Sequence, residues 1–441
     1  MSNVCPTRRI LRPALAGAVL ALLAVPAWAV DLSTADGTWT FSITGNVNVD
    51  YIYSNCQSPT SAAAITAGGG ATGALTCVGS ANGNGVSNIG NGLLPAAFTF
   101  GVATTQDGID MSAHLGLYPG IATNDGGSPN IQATSVNGSS NTALGTTGLD
   151  VRQVYMTFGT KTAGTFTLGR NIGLFGADVI LNDMTLLGVG APGSAAGATP
   201  SNTTLGGIGF GYIYTDWLAQ IDYTTPDLSG FAVTVGVYDP LNSLSDFGAT
   251  VEAKKAPGFH AKLTYTLPIA EGTKLYLSAA FITQQQDYVA PAGSLTLTAT
   301  PYSYTGDGVD FFAKFDLQNL ELIGYYYHGE GLGSTALFDG GDFGFGQTRT
   351  SDGFFAQATY KFGPVKLGVN YGRSNLDYAN AADQLANPDM LDYNQKVTGG
   401  VYYSLTKNLM LLGEVSGVKS QSQAGGSNSA TTVNVGAFLG F

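Results

Sequence analysis

The stretch DGFFAQATYKFGPVKLGVNYG, Asp352–Gly372, holds two alternating segments around a two-residue break. In the first, Phe354, Ala356, Ala358, Tyr360 and Phe362 share one face, against Gln357, Thr359 and Lys361. After Gly363-Pro364, Val365, Leu367, Val369 and Tyr371 oppose Lys366, Gly368 and Asn370. A period of two marks strands, and turn residues between two such runs mark a hairpin. The pattern recurs in GFAVTVGVY (Gly230–Tyr238), FHAKLTYTL (Phe259–Leu267) and DGVDFFAKFD (Asp307–Asp316). Charge keeps to the less apolar face: Asp222, Lys262, Lys274, Asp310, Lys314, Glu321, Lys361, Lys366, Lys396 and Glu414. A soluble sandwich puts that face in water, whereas a membrane barrel turns it inward to a wet lumen. Alternation alone does not separate the two.

Segment length and connection length do. Strands are predicted near 38–53, 95–104, 109–118, 149–159, 164–170, 216–224, 230–238, 259–267, 273–285, 308–316, 320–328, 352–362, 365–374, 392–405, 408–419 and 430–441. Most run 9–14 residues, enough for a tilted strand to cross a bilayer and longer than the sandwich norm. Seven short turns alternate with eight long loops. An up-and-down barrel of sixteen strands has that parity, with turns at one end and loops at the other. GGIGFGYIY (Gly206–Tyr214) also alternates; it is assigned to the end of the third long loop, which keeps the count even. Asp150–Thr157 alternates poorly, as a strand packed on another subunit would tolerate.

The composition agrees. The chain of 441 residues is 44% hydrophobic yet only 11% charged, well under half the usual charged fraction. Past the N-terminus no apolar run is long enough for a spanning helix, which leaves a closed barrel as the membrane solution. The N-terminus reads as an export signal over 1–29: Arg8, Arg9 and Arg12, the apolar Ala14–Val25, then Ala27-Trp28-Ala29 as a cleavage site. An uncleaved anchor is the alternative. The mature unit, 30–441, is one barrel domain with 15 basic and 30 acidic residues, near −15. That balance excludes nucleic acid as a partner. Cys56 and Cys77 remain, and in an oxidising compartment they are expected to form a disulfide worth about 3 kcal/mol, or else to stay free thiols.

RQVYMTFGTKTAGTFTLGRNIGLFGADVILNDM (Arg152–Met184) and WLAQIDYTTPDLSGFAVTVGVY (Trp217–Tyr238) resemble the general trimeric porins of Gram-negative outer membranes. The resemblance implies a homotrimer in outer-membrane lipid, a third long loop folded into the lumen, and passive diffusion of small hydrophilic solutes and ions without a cofactor or catalysis. It makes Asp183 a constriction carboxylate with Asp178 beside it, Arg152 the facing basic wall residue, and Arg170 a neighbour at the loop base. The opposed charges would set up a transverse field. The terminal Phe441, ending TTVNVGAFLGF, resembles the signal read by the barrel-assembly machinery. Departures weaken the field: Leu187 stands where a glutamate is common, Ala96 and Ala97 where wall arginines are, and only Arg152, Arg170, Arg349 and Arg373 remain in the mature chain. The loop tip LLGVGAPGSAAGATP is apolar. A pore of weak charge selectivity, or with a mild cation preference, is expected. A channel selective for a sugar, an aromatic acid or an apolar compound is the alternative.

Bland readings stand beside these. Asp178 and Asp183 would serve equally as caps inside the loop, and Arg152 as the partner of Asp150. His114, His260 and His328 read as lumen lining. No serine motif accompanies them for a lipase-like barrel. GGDFGFG (Gly340–Gly346) with Asp339 and Asp342 could hold a calcium ion, which takes carboxylate and carbonyl oxygens, or be a solvated glycine-rich loop; no metal site is assigned. Gly68–Gly73 has no strand-to-helix context and is not a phosphate loop. Tyrosines at segment ends (Tyr51, Tyr53, Tyr212, Tyr214, Tyr325–Tyr327, Tyr402 and Tyr403) are expected to form interfacial girdles.

Overall fold

The hairpin of Asp352–Gly372 forms as its pattern predicts. The computed structural model describes residues 30–58, 60, 74–76, 85–121, 149–192, 202–241, 251–252, 255–289, 302–343 and 346–441. Within it Phe362 lies opposite Val365 and Ser351 opposite Leu376. The wall strands are β1 Trp39–Cys56, β2 Ala97–Gln106, β3 Ile109–Pro119, β4 Leu149–Thr160, β5 Gly164–Ile172, β6 Trp217–Thr224, β7 Phe231–Tyr238 and β8 Gly258–Ala270. They continue as β9 Thr273–Val289, β10 Tyr302–Leu317, β11 Leu320–Glu330, β12 Thr350–Phe362, β13 Val365–Leu376, β14 Leu391–Ser404, β15 Leu409–Ser422 and β16 Ser427–Gly440. Each pairs antiparallel with the next, and β16 returns to β1 with Gly440 opposite Asn46 and Ala430 opposite Cys56. Sixteen strands therefore close a barrel, which removes the free edges that an open sheet must protect.

Three short strands complete the ladder. Val30–Ser33 pairs with β1 below the end of β16. Val251–Glu252 extends β9. Gly85–Gly90 pairs with the upper half of β1, and β2 with its lower half. Residues 91–96 between them leave the wall.

Burial settles which face is which. On β1, Val47, Val49, Tyr51 and Tyr53 are exposed while Asn46, Asn48 and Asp50 are buried. On β12, Phe354 and Tyr360 are exposed while Ser351, Gln357 and Thr359 are buried. A soluble sandwich has the opposite arrangement. An apolar outer face and a polar inner face belong to a barrel whose outside is lipid. Short turns such as Asp107-Gly108, both at positive φ (51° and 78°), join the strands as tight hairpins of the primed type.

Several expectations change. The irregular Asp150–Thr157 needs no subunit contact to explain it: the register of β3 and β4 slips between Gly116 and Leu117. That bulge turns Arg152 and Gln153 both inward and buried. Gly206–Tyr214 makes only isolated bridges and is not a wall strand, as assigned. Of the girdle tyrosines, Tyr51, Tyr53, Tyr326 and Tyr403 do face outward, but Tyr212, Tyr325, Tyr327 and Tyr402 are buried in the lumen. The leader 1–29, Cys77, Gly68–Gly73 and the loop tip 193–200 lie outside the described residues. Cys56 is disulfide-bonded.

Candidate functional site

The third long loop leaves β5 and enters the lumen. Gly176, at φ 72°, makes the turn that an L side chain resists. Its N–H donates to Asp310 Oδ2 at 2.7 Å, and the same carboxylate accepts the Ala280 amide at 3.1 Å. Asp310, on the wall, thus anchors the loop at its entrance. The short helix α1, Ala177–Asn182, follows with Asp178 in its first turn, where a carboxylate suits the helix dipole. Asp178 accepts from Ser278 Oγ at 2.5 Å, Tyr276 Oη at 3.2 Å and Lys262 Nζ at 3.3 Å.

Asp183 ends α1 and opens the single 3-10 turn Met184–Leu187, accepting from the Thr185 amide and hydroxyl at 2.9 and 2.8 Å. Asn370 Nδ2 donates to the same oxygen, Oδ1, at 3.0 Å, and Tyr212 Oη donates to Oδ2 at 2.8 Å. Gln357 bridges the same kink, accepting from the Met184 amide at 2.7 Å and donating to the Asn182 carbonyl at 2.9 Å. Further on, Glu414 accepts the Val189 and Gly190 amides, both at 2.9 Å, and the Tyr402 hydroxyl at 2.6 Å. A Cβ at Gly188 would collide with that carboxylate. Lys396, fully buried, lies in the field of Asp183 and Glu414. The loop then meets the break in the wall: the Leu93 amide donates to the Gly188 carbonyl at 2.7 Å and the Leu94 amide to Leu186 at 2.9 Å.

The return limb fills the centre. Phe210, Tyr212 and Ile213 are fully buried and cluster with Phe338, Tyr327 and Phe355. The Tyr214 amide donates to the Thr335 carbonyl at 2.8 Å, so the sixth long loop joins the plug. That loop is pinned from above by Arg349, whose Nε and Nη2 donate to Asp383 at 2.8 and 2.7 Å. Asp383 sits in α2, Ala381–Ala386, of the seventh long loop. Burial opposes its ionisation, but the Arg349 fork, the Ala379 amide and Asn387 overcome that and hold its carboxyl below the usual range.

The loops lean on one side of the wall. On β14–β16 the inward residues Tyr402, Met410, Leu412 and Phe438 are buried down to the short-turn end. On β1–β7 the lower inward residues keep contact with water: Thr44, Ser112, Thr157, Thr167, Thr224 and Thr234, with His114 and Tyr155. This half carries hydroxyls. The half from β8 to β13 carries Lys262, Lys274, Lys314, Lys361 and Lys366 with Asp316 and Glu321. Lys314 pairs with Glu321 at 2.6 Å, and Lys274 with Asp316 at 3.7 Å.

The expected constriction charges are distributed differently. Arg152 is near β3 and the loop return, held to Asp150 at 3.0 Å and to Asn202 at 3.2 Å, above the Tyr118 ring. Its ion-pair partner is Asp150, not a carboxylate of the third loop. Arg170 is beside the loop base, within the field of Asp216, but it shares its row with Val154 and Ala219, which are exposed on the outer wall. It is therefore a charge of the outer face, because the row, not nearness to the loop, sets the direction. Asp222 is paired with His260 at 2.8 Å, both buried. Gln357, Asn370 and Tyr212 were missed by sequence reasoning. Their roles depend on residues far away in the chain, and nothing in their own patterns signals them. Phe441 continues the closing ladder, exchanging hydrogen bonds with Gly45 at 2.7 and 2.9 Å, its ring 5.4 Å from that of Phe98.

A family model described as Gram-negative porin matches residues 15–423. No curated protein matches the chain. Similar solved structures include the outer membrane channel DcaP of Acinetobacter baumannii, at 16% identity and TM-score 0.62, covering 93% of this chain and 99% of that one. Salmonella typhi OmpF in complex with daunomycin matches at 12% identity and TM-score 0.53, covering 93% and 100%. The trimer form of Vibrio cholerae OmpT matches at 11% and 0.50, covering 92% and 100%. At these identities the structures speak for the fold, while the family match speaks for the sequence. A closed lipid-facing wall of sixteen strands around a loop-narrowed wet lumen, matched along most of its length by the family model, makes this chain a member of the Gram-negative porin family, an outer-membrane channel for solute diffusion.

Proposed function

We propose that the channel sorts small hydrophilic solutes by size and polarity more than by charge, along the hydroxyl-lined side of the lumen formed by β1–β7. One observation carries this reading. The two third-loop carboxylates, Asp178 and Asp183, are buried and saturated by hydrogen bonds, and the accessible wall on the other side is lined by threonines and serines. Saturated carboxylates have little field left to offer a passing ion. Liposome-swelling rates for sugars of graded size, set against small acids and amines of equal size, test it. Rates falling steeply with size and little with charge are expected; a strong dependence on charge at fixed size overturns it.

The selective-channel alternative draws on a different observation. The third and sixth loops fill the lumen with Phe210, Tyr212, Phe338 and Tyr327, a plug larger than size sorting requires. Saturable block of the current by one solute class would favour it. A homotrimer is proposed as well, supported by Arg170 in the outer row: an arginine facing lipid costs up to about 2–4 kcal/mol, depending on its depth, a penalty that a partner subunit removes. A native mass of one barrel in mild detergent would count against it. Export with cleavage before Val30, a Cys56–Cys77 bridge, and recognition of Phe441 during assembly complete the reading.

A further inference from the structure

We infer that Lys361 and Lys366, backed by Lys314, form a binding site for small oxyanions at the short-turn end of the lumen. The two lysines lie directly opposite each other, on β12 and β13, next to the turn Gly363-Pro364. Both belong to the inward rows, with Thr359 and Asn370. Like charges facing each other across a ladder destabilise it. A shared counter-ion relieves that repulsion.

No such counter-ion comes from the protein. Lys262, Lys274 and Lys314 each have a carboxylate partner, at 3.3, 3.7 and 2.6 Å. The Lys361 and Lys366 ammoniums make no ion pair or hydrogen bond among the described residues. Lys366 instead lies 4.8 Å over the Tyr402 ring, a contact that holds an ammonium in place without neutralising it. Lys314 and Lys361 act on it as like charges, and the two carboxylates that attract it are engaged elsewhere, Glu321 by Lys314 and Glu414 by the Val189 and Gly190 amides and the Tyr402 hydroxyl. The corner therefore keeps an excess of positive charge on positioned, part-exposed ammoniums. Ammoniums are compact point charges that take carboxylate or phosphate oxygens without the planar fit that a guanidinium demands. The long-loop end is rimmed by Asp352, Asp377, Asp389 and Asp392. The site is thus at the far end of the lumen from an acidic mouth, and it should be reached most readily from the short-turn side, the periplasmic side of such barrels.

The test is a planar-bilayer recording on the full-length barrel, with inorganic phosphate added to one side at a time. Phosphate on the short-turn side should reduce the current at lower concentration than phosphate on the long-loop side. In Lys361→Gln/Lys366→Gln the half-blocking concentration should rise by about threefold or more, the scale expected for removing screened charges. The reversal potential in a KCl gradient should move toward cations. A second variant, Lys361→Glu, gives Lys366 a partner across the ladder; it should abolish phosphate sensitivity and raise the melting temperature of the barrel. Conducting variants with unchanged phosphate sensitivity and reversal potential overturn the proposal, as does parent protein that phosphate blocks equally from both sides.

Discussion

The two halves of the lumen wall use their inward residues differently. Along β1–β7 the lower inward rows are hydroxyls in contact with water. Along β8–β16 the inward residues hold loops: Asp310 takes the Gly176 amide, Gln357 the Met184 amide, Glu414 the Val189 and Gly190 amides. The difference shows why a barrel this wide is not an open hole. A loop carried into the lumen brings unpaired backbone amides with it, and each must find a partner. The half that supplies them is covered where the loop lies against it, leaving the other half to line the path at that level.

Breaking the loop-holding half should have the largest effect. Glu414→Ala leaves two loop amides and the Tyr402 hydroxyl without their acceptor and strips Lys396 of one neighbouring charge. A loss of about 3 kcal/mol is expected, of the kind seen when a buried charged group loses its partners. It should be read as a lower barrel melting temperature together with a larger single-channel conductance. The corresponding change on the open half, Thr157→Ala, should stay within about 0.5 kcal/mol and leave the melt unmoved. Equal effects at the two positions would erase the contrast.

The pinned loops above the plug come next. Arg349→Met leaves the buried Asp383 carboxylate without its cation, held by the Ala379 amide and Asn387 alone, for an expected local loss of about 3 kcal/mol. The sign with pH follows from the lowered folded-state ionisation of Asp383. Its contribution is complete above the usual carboxylate range and is lost as pH falls through the lowered value. The parent should thus lose protection of the sixth and seventh loops in acid, measured by hydrogen exchange. The variant should lack it already at neutral pH.

A smaller effect than at Glu414 or Arg349 is expected at the residue that the family resemblance ranks highest. Asp183→Asn keeps an acceptor for Tyr212 or Asn370 and removes a charge whose oxygens are already occupied. About 1 kcal/mol of stability should go, with the reversal potential nearly unchanged. A large shift in ion selectivity would return Asp183 to the constriction and reverse the reading of the two halves.

Much of this was legible in the linear pattern. Segment 365–374 became Val365–Leu376 and segment 149–159 became Leu149–Thr160, because strand alternation is written residue by residue. The inward charges Lys262, Lys314, Lys396 and Glu414 were legible for the same reason. Arg170 was misread, because its motif says that it stands near the loop base and not which row it occupies. Arg152 does enter the lumen, turned there by a bulge, but it takes the alternative role the sequence also offered, as the partner of Asp150.

The sequence by itself determined the wall: period, segment length and the parity of turns and loops specify a sixteen-stranded barrel with its apolar face outward. These are local quantities, and closure follows once every edge must be paired. Only the tertiary structure decided what the lumen contains. Asp183 meets Asn370, and Val189 meets Glu414, from distant parts of the chain. A carboxylate that can serve a pore or cap a loop is assigned to one task only by the donors that the folded chain brings within 3 Å of it.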